Sequence, residues 1–298
     1  MKCRSGAAAG ARNIVDERMF PHDEPSQLGI LLKLKQDWED TMFRCFRLPA
    51  LVAATFLIAP VTSGRAAEIK VLNANALTIA MKELAAEFTK QTGNAVTFTG
   101  VTPGQVDERI KAGEVYDLVI TATASAAALE KEGKWRAGTR HPLARVGIGL
   151  AVRDGVKVDL STVESTRKAL LDAKTITYSN STGGGLSGIN AQKVLVNLGL
   201  TEAVKAKTKL SDNLADGQAL IAKGEIELGL FNVSEIPRAP GVVRAGPVPA
   251  AVQVYIDYDS AVPATNAAPE AALALLGYFH RPASRPVWDK AGLEVVGE

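Results

Sequence analysis

Short apolar strands and amphipathic helices alternate along the chain from Glu68 onward, and no other feature of the sequence constrains the fold as strongly. The segment Ile69–Ala74 has the length of a strand, and the residues after it repeat apolar side chains at helical spacing up to Gly93. The same order recurs at Val96–Gly100 and at Tyr116–Ala122. Alternation of this kind predicts an α/β fold in which mainly parallel sheets are flanked by helices.

The alternation divides into two sets of elements. The run Val146–Val152 is predicted to form one strand that leaves the first set of elements, and a second set of elements then follows. Its predicted elements are a helix at Ser161–Leu171, a strand at Thr175–Tyr178, a glycine-rich loop with a helix to Leu198, a helix at Asp212–Lys223 and a strand at Glu227–Phe231. The peptides IKAGEVYDLVITA and IAKGEIELGLFNV, one in each set, share a helix end, a Gly-Glu turn and a strand. Either two structurally equivalent lobes or a turn sequence that occurs in many proteins would explain this similarity.

The chain is expected to return to its first lobe near the end. Ala251–Val262 is a long extended run, and the helices predicted at Pro269–Phe279 and Ser284–Ala291 have no sheet of their own. We therefore expect lobe I to comprise residues 68–150 and 255–298 and lobe II residues 151–254. A ligand cleft is expected between the lobes, at the carboxyl ends of the strands.

The residues before Glu68 have a different composition. A basic segment (Met42–Arg47), an apolar core (Leu48–Pro60) and small residues (Ser63–Ala67) predict a secretory signal peptide over residues 42–67, cleaved near Ala66 or Ala67. We expect a periplasmic protein. Residues 1–41 are interpreted as a mis-called extension upstream of the true start, and a genuine disordered extension is the alternative.

Composition excludes several classes of function. The chain has 34 basic and 32 acidic side chains, and the part from Glu68 onward is formally neutral, so the charge does not indicate a nucleic-acid partner. Both cysteines, Cys3 and Cys45, lie in the segment expected to be removed, which leaves no disulfide and no cysteine metal site. No metal-binding motif and no cofactor motif is present.

The loop STGGGLSG (Ser181–Gly188) resembles two catalytic motifs without matching either. A nucleotide-binding loop needs a lysine at the helix start, and a nucleophile elbow needs G-x-S-x-G spacing; both are absent. An exported serine hydrolase would use Ser187 as nucleophile with His141 or His280 as base, and this is the enzyme alternative. We expect a protein that is not an enzyme.

Four loops are rich in backbone donors and small polar side chains. Three of them precede helices, whose N-termini favour an anion without lysine or arginine, although capping alone would also explain these residues. The loops are Asn73–Thr78, Gly100–Gln105, Ser181–Gly188 and Phe231–Glu235.

The chain from Glu68 to Glu298 resembles the periplasmic molybdate-binding proteins, which are type II substrate-binding proteins of ABC importers. The peptides that carry the resemblance are VLNANALTIAM, ERIKAGEVYDLVITA, GEIELGLFNVSEI, YDSAV and WDKAGLE. The resemblance implies a monomeric two-lobe receptor that closes on a molybdate-like or tungstate-like oxyanion and delivers it to a membrane permease. We expect a ligand site formed from Asn75, Ala76, Thr102, Pro103, Thr121, Ser187, Phe231, Asn232 and Tyr258.

The chain departs from that family at several donors. Two serines of the family fall on Ala76 and Pro103, so two hydroxyls are missing, and Thr102 or Asn75 would have to replace them. Ser187 adds a hydroxyl. Asp259 replaces a proline after the family's tyrosine, and its carboxylate would disfavour an anion unless it points away. Another small anion, such as an organic acid, is therefore the alternative ligand.

Overall fold

The computed structural model describes residues 67–180, 185–238 and 240–297. The expected upstream extension and the expected signal peptide, except Ala67, lie outside these ranges, as does Ser181–Gly184 of the glycine-rich loop. The strands in the described part of the chain are β1 (Glu68–Ala74), β2 (Ala95–Val101), β3 (Leu118–Ala122), β4 (His141–Val146), β5 (Ile148–Arg153), β6 (Ile176–Ser179), β7 (Thr208–Ser211), β8 (Leu228–Asn232), β9 (Val242–Pro247), β10 (Ile256–Ala261) and β11 (Leu293–Val295).

Several helices begin or end at residues that the capping rules favour. Thr102 and Asn213 each accept a hydrogen bond from the first turn of the helix that follows, and Gly93 and Gly224 end helices with φ of 77° and 76°. The described helices are α1 (Thr78–Thr92), α2 (Pro103–Lys111), α3 (Thr123–Lys131), α4 (Val163–Asp172), α5 (Leu186–Asn197), α6 (Thr201–Lys205), α7 (Leu214–Lys223), α8 (Glu270–His280) and α9 (Arg285–Lys290).

The strands form two sheets with matching topology. In the first sheet the order is β11-β4-β10-β3-β1-β2, and in the second it is β7-β6-β8-β5-β9. β1 is parallel to β2 and β3, just as β6 is parallel to β7 and β8. β3 and β8 each have an antiparallel neighbour on the other side, β10 and β5 respectively. The two similar peptides therefore contain equivalent strands, which favours equivalent lobes.

The predicted α/β architecture with two sheets is confirmed, and the proportion of parallel pairing is corrected. β10 is antiparallel to both of its neighbours, and so is β5, so each sheet is mixed instead of mainly parallel. β5 and β10 are each the first strand after the chain passes from one sheet to the other.

The chain passes between the sheets at Gly147 and again before Ile256. The single strand expected over Val146–Val152 is therefore two strands in different sheets. Gln253 joins the two passages: its Oε1 accepts the Ile148 N–H at 2.7 Å, and its Nε2 donates to the Ile148 carbonyl at 2.9 Å and to the Val248 carbonyl at 3.3 Å. A Cβ on Gly147 would lie 2.7 Å from the Gln253 side chain, so a larger residue here would displace the amide that joins the two passages.

Three elements of the second lobe lack the pattern of a helix or strand and were not predicted. β7 is a short edge strand with an exposed lysine, β9 contains Gly246 and Pro247, and α6 has only five residues. The extended run expected from Ala251 begins instead with the 3-10 turn Ala250–Val252, and β10 follows it.

The closing helices pack on the first sheet together with α1. The rings of Phe88 and Tyr278 meet edge to face with centroids 5.4 Å apart, and those of Phe279 and Trp288 do so at 6.0 Å. The Trp288 indole N–H donates to the Phe279 carbonyl at 3.0 Å. The core of this lobe therefore contains residues from both ends of the described chain. No helix in the described part has the length and hydropathy of a membrane span.

The substitution Gln253→Ala tests the connection between the two passages. Loss of the side-chain hydrogen bonds at Ile148 and Val248 is expected to lower the free energy of unfolding by about 1–3 kcal/mol in urea titrations. Gln91→Ala is the matched control, because Gln91 is exposed and its one side-chain hydrogen bond goes to Tyr278. Equal effects of the two substitutions would contradict the role given to Gln253.

Candidate functional site

A cavity of about 410 Å³ lies between the two sheets. The residues that end or follow β1, β2, β6, β7 and β8 all reach it, so the carboxyl ends of strands from both lobes meet there, as expected for this topology. Ala76, Pro103, Ser187 and Tyr258 are among the residues that line it. Among the described residues, no lysine, arginine or histidine lines the cavity.

The first-lobe wall is formed by the turn after β1 and by the start of α2. Asn73 is fully buried, and its Nδ2 donates to Thr78 Oγ1 at 2.8 Å and to the Ala74 carbonyl at 2.9 Å, which shapes the 3-10 turn Asn75–Leu77. Asn75 and Ala76 of this turn line the cavity. A Cβ on Gly100 would lie 2.7 Å from Asn75 Oδ1, so the glycine allows this close approach.

Thr102 caps α2 at this wall, and Pro103 follows it. Thr102 forms a capping box, in which its Oγ1 accepts the Gln105 N–H at 3.3 Å and its own N–H donates to Gln105 Oε1 at 3.1 Å. Pro103 has neither a hydroxyl nor an N–H. The hydroxyl of Thr102 therefore has a structural role in α2.

The second-lobe wall contains the start of α5. Gly188 is packed so closely against β6 that a Cβ would collide with the Ser179 carbonyl oxygen. Ser187 Oγ accepts the Asn232 N–H at 3.2 Å. The N–H of Asn232, a residue expected in the ligand site, is thus engaged by the hydroxyl of Ser187, and Ser187 connects the start of α5 to the end of β8.

Glu235 connects two polar side chains of the cavity wall. Asn232 Nδ2 donates to Glu235 Oε2 at 2.8 Å, and Gln218 Nε2 donates to the Glu235 carbonyl at 2.8 Å. All three residues are buried and line the cavity. Neither Gln218 nor Glu235 was predicted for the site. A lone glutamine inside a helix carries no motif, whereas Glu235 ends a loop that the sequence did single out.

Tyr258 lies on β10 with 2% of its surface exposed. Burial raises the pKa of its phenol well above the ordinary value, and the charge of Glu235 raises it further. The phenol therefore stays protonated at neutral pH and offers a neutral hydroxyl to the cavity.

Two predicted site residues do not line the cavity. Phe231 is fully buried on the other face of β8, with its ring against Gly217 in the core beneath α7. Thr121 is buried in β3 opposite Asp259 of β10. The structure brings together the other seven, which are Asn75, Ala76, Thr102, Pro103, Ser187, Asn232 and Tyr258.

Asp259 does not face the cavity. Its Oδ1 accepts the Thr123 hydroxyl at 2.6 Å and its Oδ2 accepts Arg140 Nε at 2.8 Å. The hydrogen bond to Asp259 is the largest contribution that raises the pKa of Arg140. The Asp259 carboxylate is thus directed away from the cavity and neutralised. It therefore does not disfavour an anion in the cavity.

The described residues lack the partners that a nucleophilic serine requires. His141 lies on β4 and His280 ends α8, and neither lines the cavity. Burial lowers the pKa of His280. Within residues 67–180, 185–238 and 240–297, no group of three or more His, Cys, Asp or Glu residues is placed to hold a metal ion.

Residues 69–294 match the family of bacterial extracellular solute-binding proteins. The chain belongs to this family. Aconitate isomerase of Pseudomonas sp is 28% identical over 265 residues, covering 84% of this chain and 97% of that protein. The molybdate-binding protein ModA of Azotobacter vinelandii is 28% identical over 251 residues, covering 81% of this chain and 96% of that protein.

A solved structure agrees with the fold of this solute-binding protein. The Azotobacter vinelandii periplasmic molybdate-binding protein superposes with a TM-score of 0.62 at 22% identity, covering 77% of this chain and 99% of that one. The predicted resemblance to periplasmic molybdate-binding proteins and the two-lobe fold are confirmed.

Substitution of Gly188 tests the close contact between α5 and β6 in this solute-binding protein. Gly188→Ala is expected to lower the free energy of unfolding by about 1–3 kcal/mol because the added methyl meets the Ser179 carbonyl. Gly277→Ala is the control, since Gly277 is exposed in α8 and an added methyl would meet no neighbouring atom. That control is expected to be neutral or to stabilise by up to about 1 kcal/mol. Urea unfolding distinguishes the two, and a neutral Gly188→Ala variant would refute the contact.

Proposed function

We propose that this protein is the periplasmic solute-binding component of an ABC importer and that it binds a small anion in the cavity between its lobes. The observation that carries the proposal is the arrangement of helix N-termini. α2, α5 and α7 all begin at the cavity, through Pro103, Leu186 and Leu214. The N–H groups of a first turn and the helix dipole attract negative charge without any cationic side chain.

Membership of the family supports a small ligand and a membrane permease as partners. A monomer would close its two lobes about the passages at Gly147 and Gln253 and deliver the ligand to a membrane permease. Closure of this kind needs no catalytic residue and no cofactor.

Among small anions, we propose an organic acid in preference to a molybdate-like or tungstate-like oxyanion. Ala76 and Pro103 offer no hydroxyl, and the Asn232 N–H already donates to Ser187. A buried tetrahedral oxyanion needs donors on every oxygen, and each missing donor to a charged group costs about 1.5–3 kcal/mol. An organic acid concentrates its charge in carboxylates, which the helix N-termini can meet, and its carbon skeleton suits a cavity of about 410 Å³.

A thermal-shift series tests the ligand class. Succinate, malate and citrate are compared with molybdate, tungstate, sulfate and phosphate on the purified protein. A ligand at about 100 times its Kd adds roughly 2.7 kcal/mol to the free energy of unfolding, which raises Tm by several degrees. The proposal predicts a shift with at least one carboxylate and none with the oxyanions. A shift with molybdate alone would establish the alternative ligand.

An isomerase is the second candidate, because the similar protein from Pseudomonas is named aconitate isomerase and because a carboxylate lines the cavity. Isomerisation of aconitate requires a base that removes a proton from carbon and returns it, and Glu235 is the buried carboxyl group in the cavity wall. The serine hydrolase alternative has no such support, since neither histidine lines the cavity with Ser187.

Incubation with cis-aconitate distinguishes a receptor from an isomerase. If the protein is a receptor, proton NMR will detect no trans-aconitate above the rate without protein. Formation of trans-aconitate by the wild type, with loss of that activity in Glu235→Gln, would show that the protein is an isomerase.

A further inference from the structure

Two buried amide oxygens in the cavity wall accept no hydrogen bond from the protein. Gln218 in α7 is fully buried and Asn232 at the end of β8 is 4% exposed, and both line the cavity. Within the described part of the chain, Gln218 Oε1 and Asn232 Oδ1 have no donor. Most buried polar atoms in native proteins have a hydrogen-bond partner, so two unsatisfied acceptors in one cavity wall are consistent with a ligand that donates to them.

Glu235 fixes which end of each amide is the acceptor. Gln218 Nε2 donates to the Glu235 main-chain oxygen, and Asn232 Nδ2 donates to the Glu235 carboxylate, both at 2.8 Å. Rotation of either amide by 180° would place an oxygen against an oxygen. The two amides are therefore held with their nitrogens on Glu235, and their oxygens remain as acceptors.

These acceptors determine what chemistry the ligand must present. A fully deprotonated tetrahedral oxyanion has only acceptor atoms, and the same is true of a plain dicarboxylate at neutral pH. A ligand that fills the cavity without a donor leaves both amide oxygens unsatisfied, and a site of this kind discriminates strongly against the analogue that lacks the hydroxyl.

We propose that the ligand is a hydroxylated organic anion whose hydroxyl groups donate to Gln218 Oε1 and Asn232 Oδ1 while its carboxylates are held at the helix N-termini. The inference rests on the proposed function and narrows the ligand from organic acids in general to hydroxy acids. Gln218 and Asn232 are then the residues that determine specificity within that class.

Matched ligands that differ only in hydroxyl groups test the inference. Succinate, malate and tartrate share one skeleton with no, one and two hydroxyls, and tricarballylate and citrate form a second pair. Isothermal titration of the purified protein is expected to show at least about tenfold tighter binding of the best hydroxylated member than of its unhydroxylated parent, in one skeleton or the other. Both enantiomers of malate and tartrate are included, because the two acceptors have fixed positions.

The substitution Gln218→Met removes one acceptor and keeps a side chain of similar length. We expect the preference for the hydroxylated member to fall by about tenfold, whereas the affinity for the unhydroxylated parent changes less than about threefold. Gln91→Met is the matched control outside the cavity and is expected to keep the wild-type preference. Circular dichroism verifies that each variant is folded. If Gln218→Met does not fold, the ratio of the wild-type affinities for the hydroxylated and unhydroxylated members tests the inference.

Three experimental outcomes would contradict the inference or a part of it, and each has a different consequence. Equal wild-type affinities for hydroxylated and unhydroxylated members would overturn the inference and leave the proposed function intact. If folded Gln218→Met loses affinity equally for the hydroxylated and the unhydroxylated ligand, the Gln218 amide has only a structural role. Binding of none of these acids, together with binding of molybdate, would overturn the proposed ligand class and this inference with it.

Discussion

The two passages of the chain between the sheets constrain the rest of the molecule. Gly147 and Gln253 lie side by side at these passages, and the Gln253 amide joins them through main-chain hydrogen bonds to Ile148 and Val248. This connection places the carboxyl ends of strands from both sheets on opposite walls of one cavity. Every property of the candidate site, including the meeting of three helix N-termini, depends on that placement.

The cavity wall presents both hydrogen-bond donors and hydrogen-bond acceptors to a ligand. Donors come from helix N-termini and from the Tyr258 phenol, whereas Gln218 and Asn232 contribute acceptors that Glu235 holds in place. The hydroxyl of Ser187, which first suggested a nucleophile, accepts a main-chain N–H and thereby braces the start of α5. A wall that combines donors and acceptors suits a ligand that has both carboxylate and hydroxyl groups.

The sequence predicted the order of strands and helices because their periodicity and their capping residues are local properties. It also predicted the turn at Asn75 and Ala76 and the start of α5 as parts of the site. It also placed Phe231 there, whereas Phe231 does not line the cavity, because successive residues of a strand face opposite sides and only Asn232 of this pair faces the cavity. Gln218 could not be predicted, since its role depends on contacts with Glu235 that arise only when α7 packs against the end of β8.

A crystal structure of the protein with malate, tartrate or citrate bound tests the central claim most directly. We expect the acid between the lobes, with a carboxylate at the N-termini of α2 and α5 and a hydroxyl within hydrogen-bond distance of Gln218 Oε1 or Asn232 Oδ1. A ligand bound outside this cavity, or a tetrahedral oxyanion held there with no donor to either amide oxygen, would contradict it.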